Sequence, residues 1–488
     1  MSEPKGLSVR SRSLQLEADR QWGIVMSDAA AMLAMPVRKT SRIESLDTLR
    51  GISLLGILMM NITAFGQLHQ GYPNPMADGG ATGANLASYV IINVGFEGTM
   101  RGIFSLLFGA GIVLLTDRME KAGAGIMAAE IHFRRMLWMM VFGIIHWALL
   151  LWSGEILFNY AIAGLMLFSF RKMAPRTLAI IGGLLLLGAA LMGMYRLADK
   201  VEKHDAAVAA QQVEGSGAVL TEKQTGAIKA WKNVELGYWP TAEDKAEQIE
   251  LHSGSWWNAV KGQYDDSYDS QWTTLPRWLM LDMIPFMLIG MALLKWGVLG
   301  GQRSVRTYIA MMVGGYVVGI PLGLYELGIV MDGNFATLAF AKAGETYQFS
   351  RFAMVIGHLG LALLVIRLGL LKGLQRGLAA VGQMALSNYI AHTIICTALF
   401  YGFGFGLFSY FDRHQLYYVV FAIWIAQLIW SPIWLSHFQF GPIEWLWRSL
   451  TYWKRQPMKV AKSQGLRPGL STPDETTRRG EQGIAFPS

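Results

Sequence analysis

Long apolar windows alternate with short charged loops along most of this chain. The windows run over 46–65, 86–115, 133–152, 155–170, 178–195, 275–298, 305–327, 350–371, 378–401 and 416–437. Most reach the roughly 20 residues that carry an α-helix through a bilayer. The pattern predicts an all-α polytopic membrane protein with about ten transmembrane helices. The second window is long enough to be tilted or broken near Gly98.

The loops carry the topology. Arg38, Lys39, Arg42 and Arg50 fall on one side, followed by Arg118, Lys121, Arg134 and Arg135, and by Arg171, Lys172 and Arg176. Lys295, Arg303, Arg306, Arg367, Lys372, Arg376 and the tail from Arg448 continue that side, while the alternate short loops hold chiefly Lys342 and Arg413. The positive-inside rule then makes both termini cytoplasmic. It divides the chain into a disordered cytoplasmic leader (1–42), helices 1–5 (43–197), an extracytoplasmic Trp-rich insertion (198–274), helices 6–10 (275–453) and a disordered cytoplasmic tail (454–488). Trp231, Trp239, Trp256, Trp257 and Trp272 alternate with acidic and Gly positions in the insertion, as expected of a cap of amphipathic pieces resting at the interface.

Composition supports the class. The 488 residues are 53% hydrophobic and 16% charged, with a mean hydropathy of +0.33. The single cysteine, Cys396, rules out an intramolecular disulfide and a cysteine-based metal site. A pI near 9.4 would suit nucleic acid, but the basic residues cluster in the short loops and orient helices instead.

Against that apolar background, Asn61, Glu97, Arg101, His146, Asp282, His358 and His392 sit inside the windows, where an ionisable group costs roughly 2.5 kcal/mol or more unless it faces a partner or water. At about 1.5 Å of rise per residue, Asn61, His146, Asp282, His358 and His392 share one level in the outer half of a core about 30 Å thick. Glu97 lies somewhat deeper and Arg101 one turn further toward the cytoplasm. The chain thus predicts a polar chamber opening outward, with a basic rim on the inner side. Each residue also has an architectural reading. His358 and His392 can bond a carbonyl across a helix interface, and Glu97 and Arg101 can pair on one helix face. Asp47 and Arg50 can be an N-terminal carboxylate and a snorkelling arginine. Asp282 precedes the Pro285 kink, and His69 lies in an outer loop as a surface histidine would.

Several motifs carry a resemblance. Leu46-Asp47-Thr48-Leu49-Arg50-Gly51, Leu55-Gly56-Ile57 and Asn61-Ile62 resemble the opening of the YeiB family of bacterial membrane proteins. Similar matches are Glu97-Gly98 with Arg101, Phe104-Ser105-Leu106-Leu107-Phe108-Gly109, Phe142-Gly143 with His146, and Trp152-Ser153-Gly154-Glu155-Ile156-Leu157 with Tyr160. Met384-Ala385-Leu386-Ser387-Asn388-Tyr389 and Gly441-Pro442-Ile443-Glu444-Trp445-Leu446-Trp447-Arg448 are similar to its closing signatures. The chain departs from the pattern at Gly98-Thr99-Met100, where a lysine is usual, at Glu155, usually Asp, and at His392, where Gln or a similar polar residue is expected. The resemblance implies a relation to the transmembrane acyltransferase superfamily that includes heparan-α-glucosaminide N-acetyltransferase. It implies location in the bacterial cytoplasmic membrane and transfer of an acyl, expected to be acetyl, group from cytoplasmic acyl-CoA. The acceptor would be a hydroxyl or amine of an extracytoplasmic glycan, lipid or small molecule. Asn61 matches the catalytic asparagine of the heparan enzyme, and His69 approximately its histidine.

Acyl transfer needs a base and oxyanion donors. His146 is the expected general base, with Asn61, Glu155 and Asp282 in support. Glu155 lies at the lip of its helix, so contact with His146 needs a broken or re-entrant turn; Asp282 and Glu97 rival it as the orienting carboxylate. Arg50, Arg101, Arg134, Arg135 and Arg448 are assigned to the coenzyme A phosphates. The positive-inside rule alone also accounts for the rim arginines. His69, Glu97, His358, Asn388, Tyr389 and His392 are assigned to the acceptor, and no metal is expected. The partners are the bilayer and the acceptor, with a homodimer left open and nucleic acid excluded. A small-molecule transporter and a lipid-binding scaffold are the alternatives.

Overall fold

The computed structural model describes residues 43–269 and 279–460; the expected leader, most of the tail, Trp272 and residues 275–278 of the sixth window lie outside the described residues. The described chain is helical, with one isolated bridge between Phe438 and Lys459. Its helices are α1 (Glu44–Gly66), α2 (Gly83–Gly95), α3 (Thr99–Lys121), α4 (Met127–Ala148), α5 (Leu157–Leu167) and α6 (Pro175–Gly215), then α7 (Glu222–Leu236), α8 (Ala242–Ser253) and α9 (Trp256–Asp269). The carboxyl half holds α10 (Ile284–Lys295), α11 (Val305–Asp332), α12 (Thr337–Ala343), α13 (Tyr347–Arg367), α14 (Lys372–Gln383), α15 (Ala385–Phe400), α16 (Arg413–His437) and α17 (Pro442–Thr451).

Each apolar window contains helix, but the windows and the helices differ in extent. Six described helical stretches are long and apolar enough to cross a membrane: 44–66, 83–121, 175–215, 305–332, 347–367 and 413–437. The apolar helices 157–170 and 385–400 are shorter. On α6, α11 and α16 only 28%, 22% and 22% of the apolar window is buried in the protein, and residues such as Leu184, Val317 and Ile425 are more than half exposed. Apolar faces of that extent are compatible with lipid rather than water. The chain is an all-helical, multi-pass membrane protein.

Breaks occur where the backbone cannot continue a helix. Gly98, at φ +66°, separates α2 from α3, a left-handed conformation that glycine adopts without Cβ strain. The ninth window is also broken, at Met384 between α14 and α15. Residues 279–283 form a wide π-type turn that leads into α10 through Pro285.

Helix α1 is the hub, packed against α3, α14, α15 and α16. Small residues allow the closest crossings: a Cβ on Gly109 would strike the Met287 carbonyl, and one on Gly290 the Leu106 carbonyl, so α3 and α10 meet backbone to backbone.

The largest correction concerns the insertion. Helix α6 passes the expected boundary at 198 without interruption and continues to Gly215, so its 41 residues extend about 60 Å, twice the apolar thickness of a bilayer. Helices α7 to α9 fold back from its far end. Capping boxes at Thr221 with Gln224 and Thr241 with Asp244 start α7 and α8. Two of the tryptophans tie this cap to the bundle: Trp239 Nε1 donates to the Phe335 carbonyl (3.2 Å) and Trp256 Nε1 to that of Leu149 (3.2 Å). Trp231 is buried against His204, and Trp257 is exposed. The chain between α1 and α2 supports the cap from below, through Gln70 Nε2 to Leu236 O (2.9 Å) and Asn74 Nδ2 to Tyr238 O (3.0 Å).

Candidate functional site

Two cavities enter the bundle from opposite ends. The outer one, of about 750 Å³, lies under the cap and is lined from α1, the 96–98 break, the 152–156 turn, upper α6 and the α12–α13 junction. The inner one, of about 370 Å³, lies at the end where Arg50, Arg118, Arg135 and Arg448 gather. Ile57, Ile156 and Tyr389 line both. At these residues the wall between the cavities is a single layer of side chains.

In the outer cavity the charges are organised by the 96–98 helix break and the π-type turn at 279–283. Glu97, in the first break, accepts from the phenols of Tyr72 (3.0 Å) and Tyr347 (3.3 Å). Asp282, in the π-type turn, accepts from Arg101 Nε (2.8 Å) and pairs with Arg351 Nη1. Arg351 also donates from Nε to the Gly98 carbonyl (3.0 Å), and its guanidinium lies 4.7 Å from the centre of the Phe286 ring. A Cβ on Gly98 would crowd this guanidinium, so glycine is required there for space as well as for conformation. Asn61 lines the same cavity, and its amide has no hydrogen-bond partner among the described residues.

The septum is backed by His146. Helix α4 stops at Ala148, the chain turns through Leu151 at φ +61°, and it doubles back to place Glu155 before α5. The Glu155 carboxylate accepts from the backbone N–H groups of Leu157 and Phe158, capping α5, and brings Oε1 within 3.7 Å of His146 Nδ1. Gly143 makes room, since a Cβ there would lie 2.9 Å from Glu155 Oε2. His146 Nε2 is 2.7 Å from Thr393 Oγ1, and its ring centre is 4.9 Å from that of Tyr389. Trp152, stacked on Phe65 at 4.0 Å, donates from Nε1 to the Tyr389 hydroxyl (3.1 Å) and fixes the ring that separates the cavities.

The inner cavity is different in kind. Leu54, Phe104, Leu107, Phe108, Met136 and Met139 form an apolar shaft running from the arginines to the septum. Arg50 pairs with Asp47 (2.8 Å), as the i, i+3 spacing suggests. Arg135 and Arg448 lie over the rings of Trp447 (4.0 Å) and Phe440 (4.5 Å). Glu444, from the closing motif, caps α15 by accepting from Leu386 N (2.7 Å) and Ser387 N (3.0 Å).

The sequence expectations fare unevenly. Asn61, Glu97, Arg101, Glu155, Asp282 and Tyr389 line the outer cavity, and Arg50, Arg135 and Arg448 the inner one. His146 lines neither. It and Glu155 have fully buried side chains, so the imidazole stands one layer behind the septum. The re-entrant turn needed for His146 to meet Glu155 is present, whereas Asp282 and Glu97 have other partners. Arg101 belongs to the outer cavity with Asp282, rather than to the basic rim or to an ion pair with Glu97. Arg134 pairs with Glu130 and lies over Trp453, away from both cavities.

Four residues assigned to the acceptor lock helices or loops instead. His358 bridges Tyr316 OH (2.8 Å) and the Gly95 carbonyl (2.7 Å). His392 bonds Gln427 (3.0 Å). Asn388 donates to Val381 O and Ser431 Oγ and accepts from Trp430 Nε1. His69 is exposed on a turn whose backbone N–H donates to Gln248 of the cap. The sequence reading missed Arg351, Tyr72, Tyr347 and Thr393 and used Arg118 for topology alone; Arg351, a charge one residue inside an apolar window, and Arg118, in the same basic set as Arg135, carried signals that could have found them. Among the described residues no group of three or more His, Cys, Asp or Glu side chains could hold a metal ion.

The family described as "protein of unknown function (DUF418)" matches residues 293–454, which takes in α11 to α17. The uncharacterized protein YeiB of Escherichia coli (strain K12) is 30% identical over 430 residues, covering 83% of this chain and 95% of that one. The uncharacterized protein YxaH of Bacillus subtilis (strain 168) is 27% identical over 430 residues, covering 87% and 97%. An uncharacterized 39.9 kDa protein of Bacillus acidopullulyticus is 24% identical over 444 residues, covering 88% and 99%. No solved structure matches. Because the likeness to YeiB, at 30% identity, covers 83% of this chain and 95% of that one, the chain belongs to the YeiB family.

Proposed function

We propose that the protein is a membrane-embedded acyltransferase of the bacterial cytoplasmic membrane, related to the transmembrane acyltransferase superfamily. In this reading the basic end faces the cytoplasm. The observation that carries it is the pair of cavities meeting at Tyr389, against which the buried His146–Glu155 pair rests. Acyl-CoA enters the inner cavity with its phosphates among Arg50, Arg118, Arg135 and Arg448, and its neutral arm fills the apolar shaft. The acceptor, a hydroxyl or amine, occupies the outer cavity.

Reaction requires the Tyr389 ring to turn aside, which exposes His146 to both cavities. His146 takes the acceptor proton, the acceptor oxygen or nitrogen bonds to the acyl carbon, and the C–S bond breaks. The departing thiolate receives that proton and leaves as coenzyme A. Glu155 stabilises the imidazolium, and Asn61 donates to the oxyanion. A second reading, transport, is favoured by one observation: buried charges cluster at the 96–98 helix break and at the π-type turn 279–283 that opens α10.

Purified protein in lipid nanodiscs should release free thiol from acetyl-CoA. His146→Ala should lower that rate about 10²- to 10⁴-fold in protein that still folds with a cooperative, if lower, melting transition, and coenzyme A should raise the melting temperature of both proteins. No thiol release and no stabilisation by coenzyme A would overturn the proposal; solute accumulation in vesicles lacking acyl-CoA would establish transport instead.

A further inference from the structure

A side chamber of about 190 Å³ adjoins the outer cavity, and Tyr72, Glu97 and Tyr347 line both. With both carboxylate oxygens of Glu97 held by the two phenols, these residues form a clasp across the passage. The chamber has room for roughly six waters, enough for one small polar group and too little for a nucleotide. Its wall includes Asn93, Tyr89, Glu326 and Arg413.

Arg413 is the group without an adequate partner. Its side chain is brought inward at the start of α16 by backbone bonding of Arg413 N to Gly79 O (3.0 Å), and the residue is 2% exposed. Its Nη2 donates to the Gly71 carbonyl and its guanidinium lies over the Tyr89 ring, but Nε has no hydrogen-bond partner among the described residues. No carboxylate forms an ion pair with it among those residues. Asp78, on the adjoining loop, accepts from Leu68 N and Ser409 Oγ. Glu97 and Glu326, which border the chamber, accept from the phenols and from Thr346 Oγ1 (2.7 Å). A guanidinium buried with no carboxylate in direct contact is disfavoured; Asp78 supplies counter-charge only without a direct ion pair, and the guanidinium lines a small chamber of suitable size.

We infer that the side chamber is an anion subsite, in which Arg413 holds the carboxylate or phosphate of a ligand whose remainder lies in the outer cavity. This rests on taking the outer cavity as the acceptor side and narrows the acceptor class to molecules with one small anionic group. Such a group belongs equally to a water-soluble metabolite or to the headgroup of an anionic lipid. The clasp sets the direction of binding: the anion passes Tyr72 and Tyr347, and the reacting hydroxyl or amine stays on the Asn61 side.

The test is binding by the full-length protein without acyl-CoA, so that it stands or falls separately from thioester turnover. In nanodiscs of phosphatidylcholine, glycerol 3-phosphate should raise the melting temperature, whereas glycerol should not. Replacing part of the lipid by phosphatidylglycerol, with no soluble probe, tests the headgroup source. Stabilisation by either anion, weakened about tenfold or more in apparent affinity by Arg413→Gln, supports the subsite and names its source. Because Arg413 also ties down the loop at Gly71, Val330→Phe is the second variant: it fills the chamber and should remove the same stabilisation. Equal responses to glycerol and glycerol 3-phosphate together with no effect of phosphatidylglycerol, or anion stabilisation that survives Val330→Phe, would overturn the subsite. Loss of thiol release with the anion response intact would instead remove the acyltransferase reading.

Discussion

Around the outer cavity the charges come in hydrogen-bonded groups, Asp282 between two arginines and Glu97 between two phenols, whereas at the inner cavity arginines stand at the rim of an apolar shaft. The first arrangement fixes helix breaks in place and leaves amides such as Asn61 for a ligand. The second suits a molecule with a polyanionic head and a long neutral arm, because cations at a mouth attract phosphate while an apolar shaft excludes it. Two environments this different, separated by one layer of side chains, are what transfer between dissimilar substrates requires and what a uniform permeation path does not.

The comparison breaks most visibly if the outer charges are only solvated. Asp282→Asn leaves the guanidinium groups of Arg101 and Arg351 without their carboxylate, and a broken buried pair costs roughly 3–5 kcal/mol. A large drop in melting temperature in detergent is therefore expected, with coenzyme A still stabilising whatever protein remains folded. Wild-type melting in this variant would mean that the breaks hold without Asp282.

Next in size is the septum. Tyr389→Ala should join the cavities and let water attack the thioester, so acetyl-CoA is hydrolysed without an acceptor, at about tenfold the wild-type background, equivalent to roughly 1.4 kcal/mol of barrier. Tyr389→Phe keeps the ring in place and should keep the background low, although the Trp152 indole N–H loses its acceptor. Equal background in all three proteins would show that the ring does not separate the two sides.

What the sequence made legible follows from how far each inference had to reach. The Gly98 break was readable because the window is too long for one straight span and glycine supplies the turn. The position of His146 near Glu155 was not, because depth counted along a regular helix carries Glu155 away from the imidazole, and only the return through Leu151 reverses that. The upper half of α6 was hidden by its charges: an apolar window ends near Tyr195, yet the Ala, Glu, Lys and Gln residues beyond it are good helix formers that need no membrane. His358 and His392 looked like His146 from the sequence, since each is one imidazole in an apolar run. Only their partners, a carbonyl and an amide on neighbouring helices, separate a helix lock from a candidate base. The Arg101–Asp282 pair joins residues 181 apart, and nothing local announces it.

The smallest expected effect is also the sharpest test of the inner cavity, because it compares adjacent residues of one type. Arg134 and Arg135 would be equivalent if the positive-inside rule were their whole explanation. Arg134 points outward to Glu130, a partly exposed pair that contributes little, while Arg135 lies over Trp447 and lines the shaft mouth. Arg134→Gln should leave the acyl-CoA KM unchanged, and Arg135→Gln should raise it roughly fivefold, about 1 kcal/mol of phosphate contact. Since both substitutions remove the same charge from the same turn of α4, any change shared by the two measures topology or surface potential, and only the difference between them measures a binding site.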